Sequence, residues 1–407
     1  SAGASVQPGL GCDPDLHHKD VTSLYIHVPF CFHKCHYCDF YSIVDTRDRQ
    51  EAFTQRLLRE LEAQESLATG PLQTVFVGGG TPSLLRTDLW KPLLQTLDER
   101  FSTRSIKIRG GEFTVECNPE TVTRELMDVL AEGGVTRVSM GAQSFNPVHL
   151  KTLERWHNPE NVSIALDLAA SAGIERRSID LIFAIPGQKL DEWESDLRTA
   201  MSLGTEHLSC YALTYEQGTA MTARLNRGDF EPADDDLEAE MFDLTLAVSR
   251  AMGFERYEIS NFAKPSRECR HNLVYWRQGN WLAAGPSASG HLRGLRWKNA
   301  PRLDDYLNKD DQGFAPVIEY ESADLKRGLF ETIMTGLRLA EGVDSSRIMR
   351  IASRVGDVAA RGLDVWARKL HESEMMTSQS GRWLLTDSGM RVTNAILIEA
   401  SDALDGD

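Results

Sequence analysis

Three thiols fall within one short run, Cys31-Phe32-His33-Lys34-Cys35-His36-Tyr37-Cys38. Three thiolates on one tight loop can hold three irons of a [4Fe–4S] cube, leaving the fourth iron without a protein ligand. Electron-transfer ferredoxins instead use four cysteines per cluster. An open iron can chelate the amino and carboxylate groups of S-adenosylmethionine (SAM), and one electron from the cluster can then break a carbon–sulfur bond to give an adenosyl radical. The competing reading is a zinc site with His33 or His36 as fourth ligand, although structural zinc usually shows paired C-x2-C knuckles well separated in sequence. So short a loop disfavours disulfides. Tyr37 and Phe40 flank the last cysteine and are expected to shield a cluster from water.

These thiols need a scaffold, and the pattern around them supplies one. The loop directly follows an apolar stretch, Leu24-Tyr25-Ile26-His27-Val28. Further strand candidates are Thr74–Val77, Phe113–Glu116, Arg137–Met140, Ile179–Phe183 and His207–Leu213. Amphipathic helical stretches lie between them, over 49–65, 81–100, 124–133, 158–172 and 190–203; Phe53, Leu57, Leu58 and Leu61 form a helical stripe in the first. Repeated β-then-α units imply a parallel sheet with outer helices, and the natural closure is an incomplete (β/α)6 barrel with ligands at the carboxyl ends of the strands. From about Pro232 the pattern changes. Asp234-Asp235-Asp236 opens a helix with acid near its positive end. A loop-rich stretch follows from Tyr257 to about Arg302. Residues 323–400 read as helices with a hairpin near Met375–Leu385, a smaller, mostly helical, winged-helix-like unit. The expected division is a disordered leader (1–20), a barrel core (21–231), a connecting segment (232–322) and a C-terminal domain (323–407).

Several polar motifs fall at the ends of the expected strands. Gly78-Gly79-Gly80-Thr81-Pro82-Ser83 follows the second. Glycines let a ligand approach the backbone, and exposed N–H groups can take a carboxylate or phosphate. Without a Gly-Lys-Ser/Thr ending this is no P-loop; taken alone it reads as a tight turn, and beside a cluster it becomes a site for the SAM amino group. Glu116 ends the third strand and Gln143 the fourth, Arg155 is placed in the next helix, and Asp180 begins the fifth strand, in the run Asp180–Gly187. Arg pairs with carboxylates and Asp with ribose hydroxyls. Singly each is weak; on successive units of one barrel they form a polar cradle. Further on, Cys269-Arg270-His271-Asn272-Leu273-Val274-Tyr275-Trp276 sets a His beside aromatic residues. His and Cys ligate heme iron and aromatics pack on porphyrins; the same run also reads as a satisfied core histidine.

The chain carries 44 Lys and Arg against 60 Asp and Glu, a net charge of -16, which argues against a general nucleic-acid binder. Its seven cysteines are an odd number, three of them clustered, which points to a reducing compartment and a metal site rather than a disulfide scaffold. No apolar run approaches the ~18–20 residues needed to cross a membrane, and residues 1–20 lack a signal peptide's basic start and apolar middle. The cytoplasm is the expected compartment, with peripheral membrane contact left open.

Taken together, Cys31–Cys38, Gly78–Ser83, Glu116-Cys117-Asn118-Pro119, Gly141–Phe145 and Asp180–Gly187 resemble the radical-SAM proteins of the oxygen-independent coproporphyrinogen oxidase type, the HemN-like group, from about residue 22 onward. True coproporphyrinogen dehydrogenases of that group carry a further cysteine two residues after the third; here that place holds Phe40. His271-Asn272-Leu273-Val274-Tyr275-Trp276 is similar to the His-Asn-x-x-Tyr-Trp signature of a heme-chaperone subfamily, as are Gly336-Leu337-Arg338-Leu339 and Glu341-Gly342-Val343 to its C-terminal domain. The resemblance implies that Cys31, Cys35 and Cys38 ligate the cluster, that Tyr25, Gly79, Gly80, Thr81, Glu116, Gln143, Arg155 and Asp180 line the SAM site, and that His271 is the heme contact. It assigns no catalytic side chain. Many relatives have Gly-Ala-His-Gly where this chain has Ser287-Ala288-Ser289-Gly290, with His291 close by; a role for a histidine in that loop is in doubt.

Three functions follow from this resemblance. The first is a heme chaperone that holds cluster, SAM and heme and passes heme to apo-hemoproteins, with an electron donor for the cluster, as monomer or homodimer. The second is an oxygen-independent coproporphyrinogen III dehydrogenase, which converts propionates to vinyl groups with loss of carbon dioxide. The third is a HemN-like radical-SAM methyltransferase or cyclopropanating enzyme, which needs a second SAM pocket that no motif marks. Phe40 and the His271–Trp276 run favour the chaperone.

Overall fold

The computed structural model describes Leu16 and residues 18–406. Its centre is a nine-stranded sheet in the order β7-β8-β6-β5-β4-β3-β2-β1-β9. The strands β1 (Ser23–Val28), β2 (Thr74–Gly79), β3 (Glu112–Cys117), β4 (Arg137–Gln143), β5 (Arg176–Phe183) and β6 (His207–Ala212) pair in parallel. The expected helices follow their strands: Gln50–Gln64, Thr87–Phe101, Arg124–Glu132, Glu160–Ser171 and Leu190–Ser202. Alternation explains the layers. Leu24, Ile26 and Val28 of β1, Val75 and Val77 of β2 and Val138 and Met140 of β4 are buried in the main apolar core with helix residues such as Phe53, Leu57 and Trp90. The intervening residues, polar in most strands, point to the other face. This is an α/β barrel, left open because β7 and β9 form the two sheet edges.

The stretch read as loop-rich differs from expectation. The strands β7 (Glu255–Glu258) and β8 (Asn261–Ala263) form a hairpin whose second strand pairs antiparallel to β6, and β9 (Leu282–Ala284) adds parallel to β1. Runs of three or four residues are too short for alternation to register in a sequence. Between them lies the short helix Arg270–Trp276, and beyond them a second sheet, β10 (Ser289–Leu292), β11 (Leu295–Asn299) and β12 (Val317–Glu321).

The C-terminal unit has its own core, built on Leu329, Ile333, Ile348, Ile351, Leu363 and Trp366 from three helices. Strands β13 (Val343–Asp344), β14 (Met376–Gln379) and β15 (Arg382–Leu385) form its small sheet. Helix Asp235–Ala251, capped by the Asp234 carboxylate on the Leu237 N–H at 2.7 Å, joins it to the barrel. Arg391 pairs with Asp243, and Arg250 and Arg256 with Asp387, which seats Met390–Asn394 over the barrel mouth. The leader expected over 1–20 lies mostly outside the described residues; Leu16 is buried in the C-terminal core, and Asn280 donates to the carbonyls of His18 and Asp20. Among the described residues no helix is long and apolar enough to cross a membrane.

Candidate functional site

The thiol loop is closed at its base by backbone bonds from Cys31 N–H to Ile43 O and from Ile43 N–H to Pro29 O, both 2.8 Å. The Gly-rich turn docks beneath it: Gly80 and Thr81 donate to Val28 O and Phe30 O at 2.7 Å. Gly79 has φ of 106°, and a Cβ there would lie 2.6 Å from the His27 ring; one on Gly80 would lie 2.8 Å from Phe30 O. The glycines therefore admit neighbouring chain as well as any ligand. Thr81 Oγ1 lies 3.5 Å from Cys31 Sγ, and Arg155 Nη1 3.7 Å from Cys35 Sγ. Burial, followed by the Cys31 and Cys35 thiols, pushes the Cys38 thiol up to about 11.

Cys31, Cys35, Cys38, Gly79, Gly80, Thr81, Glu116, Gln143, Arg155, Asp180 and His271 all line one cavity of about 1160 Å³. Tyr25 does not; it sits behind the lining, its hydroxyl 3.1 Å from His27 Nδ1 and its ring stacked on Phe76. Glu116 accepts from the Gly79 N–H at 3.2 Å, and Asp180 accepts from Ser139 at 3.0 Å. Gln143 takes a left-handed φ of 63° at a register shift in β4, the kind of strained conformation that clusters at functional sites. Two placements differ from the sequence reading. Arg155 is not helical: helix Pro147–Thr152 stops, and Glu154 at φ of 52° turns Arg155 inward, where Nη2 donates to Gly141 O at 2.8 Å. Asp180 lies in mid-strand rather than at a strand start, so it faces the barrel interior at mid-depth.

The donors suit the groups the resemblance implies. Thiolates are soft ligands suited to iron–sulfur clusters. The two buried carboxylates suit a cationic ligand with ribose hydroxyls, and Arg155 Nε is buried without a hydrogen-bond partner, leaving a donor for a carboxylate. Burial, reinforced by Asp180, raises the Glu116 carboxyl to about 7. A cationic ligand favours ionised Glu116, so SAM affinity is expected to rise through that pH, by about tenfold from pH 6 to pH 8. Calorimetric titration at both pH values checks this, and Glu116→Gln should flatten the dependence.

His271 sits far from the mouth. It is 0% exposed, with Nδ1 2.8 Å from Thr74 Oγ1 at the start of β2, Nε2 2.7 Å from the Tyr275 hydroxyl, and its ring on Phe76 at 5.4 Å. Asn272 donates to Glu258 at 2.9 Å. Helix Arg270–Trp276 is thus the floor of the cavity. Burial pushes the His271 imidazole down to about 3, so it is neutral, and both nitrogens are engaged. The axial-ligand role finds no free nitrogen in this geometry. His291 is outside the cavity, its Nδ1 2.7 Å from Gly279 O. Phe40, expected to shield a cluster, is 63% exposed at the mouth with Phe32 at 71% and Trp156 at 59%; Trp156 stacks on His33 with centroids 4.4 Å apart. Sequence reasoning missed Phe76, Arg137, His207 and Asn272 as lining residues. The signal was available for one strand: Arg137, Ser139, Gly141 and Gln143 alternate along β4 and all face the cavity.

A parallel barrel with three thiols on the loop after its first strand defines a radical-SAM protein, and residues 25–200 match the family model of the Radical SAM superfamily. The chain is 34% identical over 374 residues to the heme chaperone HemW of Mycobacterium tuberculosis, covering 90% of this chain and 93% of that one. It is 34% identical over 387 residues to heme chaperone HemW of Escherichia coli, covering 92% and 97%. The chain belongs to the HemW family. Its fold is similar to the coproporphyrinogen III oxidase HemN of Escherichia coli, with a TM-score of 0.79 at 20% identity over 94% of this chain and 90% of that one.

Proposed function

We propose that this chain is a heme chaperone: it holds a [4Fe–4S] cluster on Cys31, Cys35 and Cys38, binds SAM in the barrel, takes up heme and delivers it to apo-hemoproteins. The observation that carries the reading is the large barrel cavity, with thiols and exposed aromatic residues at its mouth, buried polar side chains on its walls and the Arg270–Trp276 helix as its floor. Bound together, cluster and SAM supply one-electron cleavage of a carbon–sulfur bond. The chain's own part is positional. Gly79, Gly80 and Thr81 set the turn beside the thiols, with Tyr25 behind them. Glu116 and Asp180 take the cationic and ribose groups of SAM, Gln143 fixes the upper end of β4, and Arg155 takes the carboxylate. Heme contact is proposed at the aromatic mouth, with His271 acting from beneath as a packed floor residue. No residue is given a catalytic role.

The resemblance to HemW proteins supports delivery, since those relatives are heme chaperones. Phe40 stands where the dehydrogenases of the wider group carry a further cysteine, which favours the chaperone over coproporphyrinogen III oxidation. The test is transfer. Chain loaded with hemin is mixed with an apo-hemoprotein, and the acceptor's Soret band is followed. Growth of that band at the expense of the donor's is expected; heme that stays on the chain whatever acceptor is offered would remove the delivery role.

A further inference from the structure

One cation inside the barrel makes no hydrogen bond. Arg137, the first residue of β4, is 2% exposed and lines the cavity. Among the described residues it makes no side-chain hydrogen bond and no ion pair within 4 Å, and the Glu112 and Asp180 carboxylates offset its charge at longer range. A guanidinium keeps its charge and brings five donors in a planar fork, and a buried one is normally matched by acceptors. The groups around it are already committed. Glu112 is 2.9 Å from Arg176 and also accepts from Cys269 Sγ and the His271 N–H, both at 3.3 Å. Asp180 is held by Ser139, and His207 bonds to Ser178 and Tyr257 at 2.8 Å. Cys269 is a neutral thiol, pushed up to about 12 by burial, and burial likewise keeps Tyr257 protonated.

We propose that Arg137 is an anchoring site, deep in the barrel, for a carboxylate carried by a ligand that enters through the mouth. The assignment rests on the functional reading above. A planar fork of donors without an acceptor matches a carboxylate. Phosphate dianions fit less well, because Glu116 and Asp180 line the same cavity. Arg155 docks on the Gly141 carbonyl, four residues along β4 from Arg137 and about 13 Å of strand, so this site is distinct from that of Arg155 beside the thiols. The carboxylate has two candidate sources, a tetrapyrrole propionate or the methionyl group of SAM, and only the first belongs to a ligand that need not keep its carboxylate at the cluster.

The test uses full-length, cluster-reconstituted chain and Arg137→Met, with hemin, hemin dimethyl ester, SAM and decarboxylated SAM as probes, plus thermal unfolding. Because the guanidinium makes no hydrogen bond, Arg137→Met is expected to remain folded, with a melting temperature close to that of wild type. Hemin affinity is expected to fall about tenfold or more, with the dimethyl ester unaffected. A loss confined to SAM and absent for its decarboxylated form would assign the same site to the SAM carboxylate. Unchanged affinity for both carboxylate ligands would overturn the proposal. So would a lower melting temperature with equal loss for acid and ester, since that is a structural role. A wild-type chain that binds no hemin would instead overturn the chaperone reading, and the SAM pair would still decide Arg137.

Discussion

Cys35→Ala is expected to abolish the visible absorbance and iron content of the reconstituted chain while leaving its fold in place. Cys35 is buried beside Arg155, whose Nη1 lies 3.7 Å from its sulfur. The chain offers a cluster three thiols on this loop; with two, one more iron is left without a protein ligand, and the site loses the arrangement that distinguishes it from ferredoxin clusters. The fold should survive because the loop is held by backbone, through Cys31 N–H to Ile43 O at 2.8 Å and His36 N–H to Leu153 O at 3.3 Å. Circular dichroism unchanged from wild type, beside a colourless protein, is the predicted pair of results. Iron and spectrum that persist in the variant would show that the metal is bound elsewhere.

His271→Ala is expected to act on stability. It removes a ring packed on Phe76 and hydrogen bonds at 2.8 Å to Thr74 and 2.7 Å to Tyr275, all at the fully buried cavity floor. Large-to-small truncation with loss of buried hydrogen bonds costs about 2–4 kcal/mol. Denaturant unfolding should read that loss, while the position of the Soret band of bound heme stays that of wild type, because neither ring nitrogen is free to reach iron. A shifted Soret band in a variant of unchanged stability would return His271 to the role of heme ligand.

The strands of the barrel were legible because each is six to eight residues long and alternates. Val138, Met140 and Ala142 pack outward in the core while Arg137, Ser139, Gly141 and Gln143 line the cavity. The same alternation carries chemistry to the interior, which is why Glu116 and Gln143 could be singled out at strand ends, while Asp180 was read at a strand start and lies in mid-strand. Elements of three residues, such as Asn261–Ala263 and Leu282–Ala284, have no period to read, and only tertiary pairing makes them strands. Arg155 was misplaced because an apolar helical pattern does not reveal that Glu154 takes a positive φ. His271 shows a different limit. Its motif was visible, but whether an imidazole among aromatics faces a ligand or the core depends on the strand beneath it, here β2 with Thr74 and Phe76. Arg137 went unremarked because arginines are common, and its lack of a hydrogen-bond acceptor exists only in three dimensions.

The central claim separates carrying heme from making its precursor. The most direct measurement is anaerobic: cluster-reconstituted chain with SAM, reductant and coproporphyrinogen III, analysed by chromatography for protoporphyrinogen, with a parallel hemin titration in the Soret band. Saturable heme binding with no product is the predicted result. Protoporphyrinogen formed over repeated turnovers would make this chain a coproporphyrinogen dehydrogenase despite Phe40, and would contradict the chaperone assignment.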